Sequence, residues 1–471
     1  MPDPVSHSTR PEDRVSLREK IGLGFGKIVA DGTHGTLHVL VNPIYNITLG
    51  VNPALISSVV FIQRMWDAML DPLWGQFSDN FRSRWGRRLP LIASAALPLA
   101  LLFAALWWFP RQASEMGLFL HLLIVSLIFY AAHSVYSMPL GGLLVEATDD
   151  YHERSRIAGV TLAFGFVFQI ASQWFFPLTQ LSIFPDSITG LRWVAGGCAL
   201  FFFIAGLMPV LLCRERHYTR VAVRQPRTSL FASLRAVRGN RPFVILLGTR
   251  FVTSFCYNIV GMLGIYMNMY YVFGGDLKRA AIAYGFLGTS FQVSATVVAL
   301  FVYPRLSRAF GKKATFQIAC GVLIVGCLGK LVLYQPDQPW LQLIVLACNG
   351  AAQSGFLLMS GAMLGDITDF DEWKNGLRRE GLFYSLLSWT DKAGNSLGSL
   401  IAGFVLVWIG FNAKIGAQTP HTLILMKTAY VIAPATGAVI ALWLLRRYEL
   451  SEARSYEIKA ELARRHATVT T

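Results

Sequence analysis

The sequence predicts an all-α membrane protein of about twelve transmembrane helices in two six-helix bundles, and three observations predict it. Hydrophobic residues make up 54% of the 471-residue chain and charged residues only 15%, against about 45–50% and about 25% in an ordinary soluble domain. The apolar residues gather into long runs, each near or above the roughly 20 residues that cross about 30 Å of hydrocarbon. The basic residues fall on alternate loops, the mark of a chain that crosses a bilayer many times.

The runs lie near 21–50, 52–80, 89–110, 117–147, 156–182, 190–213, 243–274, 278–304, 314–334, 338–366, 380–410 and 420–446. With no water to satisfy the backbone, a continuous run of this length must be helical, since barrel strands are about ten residues long and alternate in polarity. The runs at 21–50 and 338–366 are the least uniform, because they carry Gly, Asn and Asp. Residues 1–20 read as a polar tail with no apolar core and small-residue cleavage site, so no signal peptide is expected. Residues 21–213 then form a first six-helix bundle, 214–241 a basic middle loop, 242–446 a second bundle and 447–471 a charged helical tail.

A net charge of +15 would fit a nucleic-acid binder, but the positions of the charges exclude that reading. On one side lie Arg10, Arg14, Arg18 and Lys20, Arg82, Arg84, Arg87 and Arg88, and Arg154 and Arg156. The middle loop adds Arg214, Arg216, Arg220, Arg224, Arg227, Arg235, Arg238 and Arg241, and later loops and the tail continue the pattern. The other side holds Arg111, Arg192, Lys278, Arg279 and Lys414. Such a bias places both termini in the cytoplasm of an inner-membrane protein. Lys27, Lys330 and Lys427 sit near run ends and are expected to snorkel, whereas Arg64 and Lys392 sit deeper and need carboxylate partners or a wet cavity. The six cysteines show no CxxC spacing, so neither a metal cage nor a disulfide framework is expected.

A weak internal echo divides the helices six and six. Arg84-Trp85-Gly86-Arg87-Arg88 follows the second run, and Arg308-Ala309-Phe310-Gly311-Lys312-Lys313 follows the eighth. Two such bundles, with solute bound between them, form the major facilitator architecture.

The chemistry concentrates in the second run, Arg64-Met65-Trp66-Asp67-Ala68-Met69-Leu70-Asp71-Pro72. Spacings of three and four put Arg64, Asp67 and Asp71 on one helical face. A charge near mid-bilayer costs at least about 2.5–3.5 kcal/mol on insertion scales, and two stacked carboxylates either share a proton or attract a cation. The structural alternative is a salt-bridge cluster with Arg64. Asp31 in the first run can accept hydrogen bonds from a polyol, or else partner Arg64 or Lys392. Trp389-Thr390-Asp391-Lys392 brings a cation from the other half. Trp66, Tyr136, Tyr266, Tyr270, Tyr384 and Trp389 can stack on a sugar or serve as packing.

The segments RMWDAMLDPLWGQFSDNFRSRWGRRLP, EATDDYHERSRI and GDITDFDEWKNGLRREGLFYSLLSWTDKAGNSLG resemble the signature segments of glycoside–pentoside–hexuronide:cation symporters, the melibiose permease-like family. The resemblance implies a cation site at Asp67, Asp71 and Ser134, with H+ or Na+ as the coupling ion and no cofactor. It implies solute contacts from Asp31, Arg64, Ser137, Trp389 and Lys392. It also implies a cytoplasmic gate of Asp79, Arg87, Arg88, Glu153, Arg154, Asp366, Asp369, Arg378 and Glu380, whose alternative is generic loop charge. Ser137, Gly141 and Leu162 stand where galactoside-binding relatives carry Asp, Trp and Arg, so galactoside specificity does not transfer. Leu70 removes a polar group often present where sodium is used.

The expected function is cation-coupled symport of a sugar, glycoside or uronide by a monomer in the lipid bilayer, with a small-molecule solute and no nucleic-acid partner. A lysolipid or other amphiphile carrier and a non-transporting nutrient sensor are the rivals. An enzyme is not expected, because no nucleophile–base pair or HExxH-type cluster is present.

Overall fold

The computed structural model of the chain describes residues 14–148, 150–215, 239–376, 379–412, 415 and 417–469. Apart from an isolated bridge between Ser83 and Gly86, the regular elements among them are helices. The first six long ones are α1 Leu17–Val41, α2 Pro53–Asn80, α3 Leu89–Ala105, α4 Glu115–Glu146, α5 Tyr151–Ser172 and α6 Ser187–Leu212. The second six are α7 Arg241–Tyr266, α8 Leu277–Val297, α9 Tyr303–Leu333, α10 Gln342–Asn375, α11 Glu380–Trp408 and α12 Pro420–Arg446, and α13 Glu452–Val469 follows.

Seven stretches, covering α4 to α10 and α12, are long and apolar enough to cross a membrane by length and composition. The helices outside that set are the short α3, the tail helix α13, and α1, α2 and α11, which carry the candidate membrane charges. Large apolar side chains such as Leu101, Ile128, Leu200, Leu331 and Val439 are exposed, as a surface solvated by lipid tails requires.

Helix α1 starts earlier than the run expected at 21, and a capping box is the reason. The Ser16 hydroxyl accepts from the Glu19 N–H at 3.2 Å, while the Glu19 carboxylate accepts from the Ser16 N–H at 3.0 Å. Two donors that a helix start leaves open are thereby closed, so Leu17 to Lys20 are helical rather than tail.

The chain divides into two compact units, Met1–Val51 with Ile62–Gln225 and Asn52–Phe61 with Pro226–Thr471. Within the first, α1 packs on α5 and α6, and α3 on α4 and α6. Within the second, α7 packs on α11 and α12, and α9 on α10 and α12. The neighbours of helix n thus recur at n + 6. Both α1 and α7 run on into a π-helical turn, Asn42–Thr48 and Met267–Val272. Gly86 and Gly311, the glycines of the two echoing loops, have φ of 108° and 79°, a backbone that side chains with a Cβ rarely adopt.

Lys330 departs from expectation. It does not snorkel: its side chain is fully buried, with Nζ 3.0 Å from the Tyr430 carbonyl and 3.8 Å above the Tyr430 ring. Carbonyl and ring face together supply part of the negative potential that solvent would have provided. Lys427, nearer its helix start, reaches the Tyr271 hydroxyl and the Leu331 carbonyl.

Candidate functional site

In the first unit the polar face of α2 meets α1 and α4. Asp67 is 5% exposed. Asp71 Oδ1 accepts from the fully buried Ser134 hydroxyl at 3.0 Å, so the serine placed beside the aspartates by resemblance does touch one of them. Ser137, one turn further along α4, has a buried hydroxyl with no hydrogen-bond partner among the described residues.

Arg64 Nη2 donates to His38 Nε2 on α1 at 2.9 Å, an arginine–imidazole contact rather than the salt-bridge cluster that was the structural alternative. Asp31 pairs with Lys27 one turn earlier, at 3.0 Å, and both side chains are well exposed. That i, i+4 neighbour, rather than Arg64 or Lys392, answers Asp31 within α1.

Three histidines complete the cluster, and sequence reasoning missed them. His34 Nδ1 lies 2.7 Å from the Tyr130 hydroxyl, and the His34 and His38 rings are 4.7 Å apart. His133 Nε2 is 2.7 Å from the Ala30 carbonyl, and its Nδ1 is 4.0 Å from Asp67 Oδ1. The i, i+4 spacing of His34 and His38 was visible in the sequence, but the register that lays His133 against α1 arises only on packing.

In the second unit, Trp389 is 57% exposed and Lys392 half-buried on α11. Asp391 pairs with Arg250 on α7 at 2.8 Å. Of the aromatics, Tyr136, Tyr266 and Tyr270 are buried and pack, with the Tyr136 hydroxyl donating to the Gly206 carbonyl. Trp66, Tyr384 and Trp389 are exposed.

The residues assigned to a gate form networks inside each unit. Arg87 and Arg88 both bind Glu146 at the end of α4, and the Arg87, Arg88 and Leu89 N–H groups donate to Glu215. Burial opposes ionisation of Glu146, but the Arg88 and Arg87 guanidiniums outweigh it and hold the carboxyl below the usual range. Glu153 meets the same opposition from burial, and Lys20 at 2.6 Å, the Val15 N–H and Arg156 lower it. Arg154 donates to the Thr148 carbonyl. In the second unit Asp366 takes Lys312 at 2.6 Å and Lys459 of α13 at 3.1 Å, and Lys459 also reaches Asp369 at 3.7 Å. Arg379 clasps the fully buried Asp371. Arg378 and the side chains of Asp79 and Glu380 lie outside the described residues. Glu146, Glu215, Lys20, Asp371 and Lys459 were not foreseen, since loop carboxylates carry no periodicity to mark them.

A symporter of Bacillus subtilis (strain 168), YnaJ, is 27% identical over 470 residues, covering 96% of each chain. The glucuronide carrier protein homolog of Escherichia coli (strain K12) is 23% identical over 459 residues, again covering 96% of each. Among solved structures, the nucleoside transporter NupG superposes with a TM-score of 0.63 at 15% identity, over 93% of this chain and all of its own, which shows the fold. The family model described as MFS/sugar transport protein matches residues 22–452. With paired aspartates on a helix of a repeated six-helix bundle and that match over nearly the whole chain, the protein is a secondary transporter of the major facilitator superfamily, of the glycoside–pentoside–hexuronide type.

Proposed function

We propose that the chain couples entry of a sugar, glycoside or uronide to entry of a proton, by alternating access. The choice of proton is carried by the pairing of His133 with Asp67. A carbonyl oxygen only accepts, so the hydrogen of the contact with Ala30 sits on His133 Nε2. A neutral ring then turns a bare Nδ1 toward Asp67 Oδ1, 4.0 Å away, and two acceptors facing one another in a buried place repel. A proton carried on His133 Nδ1 would turn the contact into one between opposite charges. Sodium takes several oxygen ligands, and Leu70 stands where a polar side chain before Asp71 could have supplied one more.

Asp71, held by Ser134, is the second carboxylate of the cation site. Asp31, Arg64, the unpartnered Ser137 hydroxyl, Trp389 and Lys392 supply solute contacts, and the loop networks of Arg87, Arg88, Glu153, Arg154, Asp366 and Asp369, with Asp79, Arg378 and Glu380, form the cytoplasmic gate. The glucuronide named for the relative from Escherichia coli supports a sugar acid. The polarity of the His34–His38–Arg64 cluster argues against an amphiphile, and solute flux separates a carrier from a sensor. The one-sided basic loops support cytoplasmic termini in the inner membrane, and the protein acts as a monomer. Proton and solute each strengthen the other's binding, as linkage requires.

The test is uptake by liposomes containing the purified protein, with methyl β-D-glucuronide as probe, under separate proton and sodium gradients. A proton gradient drives accumulation, and Asp67→Asn and His133→Gln each abolish it while exchange across the membrane continues. Accumulation driven by sodium alone, or a normal proton dependence in Asp67→Asn, would overturn the assignment.

A further inference from the structure

At its basic-loop end the second unit holds a cavity of about 270 Å³, lined by residues of α9 around Gly311, by Asp366 of α10 and by the chain from Tyr448 into α13. Two features frame it. Gly311 turns the backbone to a φ of 79°, and Lys312 and Lys313 follow at once. Farther along, α13 is fastened to α10: Ile458 and Leu462 are buried, the Trp373 indole donates to Glu461 at 2.8 Å, and Arg465 donates to the Trp373 carbonyl at 3.0 Å. The space therefore lies beside the first turn of α13, where a helix presents the positive end of its dipole.

Three ammoniums and two carboxylates line the cavity, and they are not matched one to one. Asp366 takes two of the lysines, Lys312 on Oδ2 and Lys459 on Oδ1. Lys313 is met by a carbonyl instead: its Nζ lies 2.9 Å from the Tyr448 backbone oxygen, and no carboxylate pairs with it among the described residues. Tyr448 is 4% exposed, and its hydroxyl has no hydrogen-bond partner among the described residues. Burial, and then the Asp366 charge, push its pKa well up, so the hydroxyl keeps its hydrogen to donate. Ser451 accepts from the Arg454 N–H at 3.2 Å and has its own hydroxyl hydrogen to give. The remaining carboxylate is Glu452, whose Oε2 lies 2.8 Å from the place a Cβ on Gly311 would take; it opposes an anion.

The geometry points to a binding site for a phosphate group, held by Lys313, Tyr448 and Ser451 and carried by an anionic lipid headgroup or by a soluble phosphate ester. A buried donor without an acceptor costs free energy, and an anion with several oxygens answers three donors at once. Basic pockets at the cytoplasmic ends of membrane helices take phosphate headgroups on the same principle. A crevice that held only water would leave phosphate binding indifferent to Lys313 and Tyr448.

The experiment is calorimetric titration of purified full-length protein in dodecyl maltoside at constant ionic strength. The probes are inorganic phosphate, glycerol 3-phosphate and dihexanoyl phosphatidylglycerol, with chloride as the reference anion. Saturable binding of at least one phosphate probe is expected, and it raises the melting temperature. Lys313→Gln and Tyr448→Phe each weaken it by about tenfold or more, and Glu452→Gln tightens it. Lys374→Gln, which alters an exposed lysine outside the lining, leaves it unchanged. Tighter binding of the phosphatidylglycerol than of glycerol 3-phosphate identifies a lipid headgroup as the source, and equal or weaker binding identifies a soluble ester. Circular dichroism and the melting temperature without ligand check that each variant is folded; should Tyr448→Phe not fold, Lys313→Gln and Glu452→Gln carry the test by their opposite signs. Absence of saturable binding by all three probes, affinity unchanged in folded Lys313→Gln, or an equal loss in Lys374→Gln overturns the inference.

Discussion

Arg88 grips Glu146 with two nitrogens: Nε lies 2.9 Å from Oε2 and Nη2 2.6 Å from Oε1, and the two side chains are 8% and 20% exposed. The paired geometry resists screening far better than a single surface contact. It also ties the loop after α2, the helix of the paired aspartates, to the end of α4, the helix of His133 and Ser134.

Glu146→Gln is therefore expected to destabilise the protein by about 1–3 kcal/mol at pH 7, less than a fully buried pair because some exposure remains. The sign of the pH dependence follows from the lowered folded pKa. The carboxylate contributes fully above the unfolded value near 4.3, and the contribution disappears as pH falls through the folded value. Thermal unfolding in detergent should show a constant gap between variant and wild type above about pH 5 that closes below about pH 4.

Ser134→Ala removes the hydroxyl that donates to Asp71 Oδ1 at 3.0 Å. Losing one hydrogen bond to a charged group is worth about 1.5–3 kcal/mol. The apparent proton affinity that drives methyl β-D-glucuronide uptake should change by about tenfold or more, with protein yield little altered. An unchanged pH profile of uptake would detach Ser134 from the cation site.

The two-fold repeat was legible because glycine and basic residues mark turns locally, as Gly86 and Gly311 show by their positive φ. The stacked aspartates were legible because helical spacing alone puts Asp67 and Asp71 on one face. What stayed hidden depends on contacts between helices: His133 acquires meaning only when α4 settles on α1, and Asp391 only when α11 settles on α7. Arg64 shows the limit most clearly, since its charge asks for a carboxylate partner or a wet cavity and packing supplies His38.

Gly398→Ala should separate α7 from α11. The added Cβ would sit 2.4 Å from the Phe255 carbonyl, and backbone cannot yield as a side-chain tip can. A cost of about 1–3 kcal/mol is expected from overpacking, read as a lower melting temperature. Gly261→Ala on α7 is the control, because nothing stands within 4 Å of its Cβ position; it should leave the melting temperature unchanged or slightly raised.

Lys330 sets the opposite expectation. Its ammonium is fully buried against the Tyr430 carbonyl and ring, and no carboxylate pairs with it among the described residues. Removing water from a charge is costly, and one carbonyl with one ring face returns only part of that cost. Methionine has similar length and volume and no charge to solvate. Lys330→Met should therefore melt no lower than wild type, and at a higher temperature if replacing the buried charge stabilises by about 1–4 kcal/mol, as it has in buried ionic clusters. A large fall in melting temperature would mean that the hydrogen bond to the Tyr430 carbonyl outweighs the desolvation of the ammonium. Lys330→Glu separates charge from shape, because the carboxylate would face the carbonyl oxygen and the negative face of the ring, and folded protein should be lost.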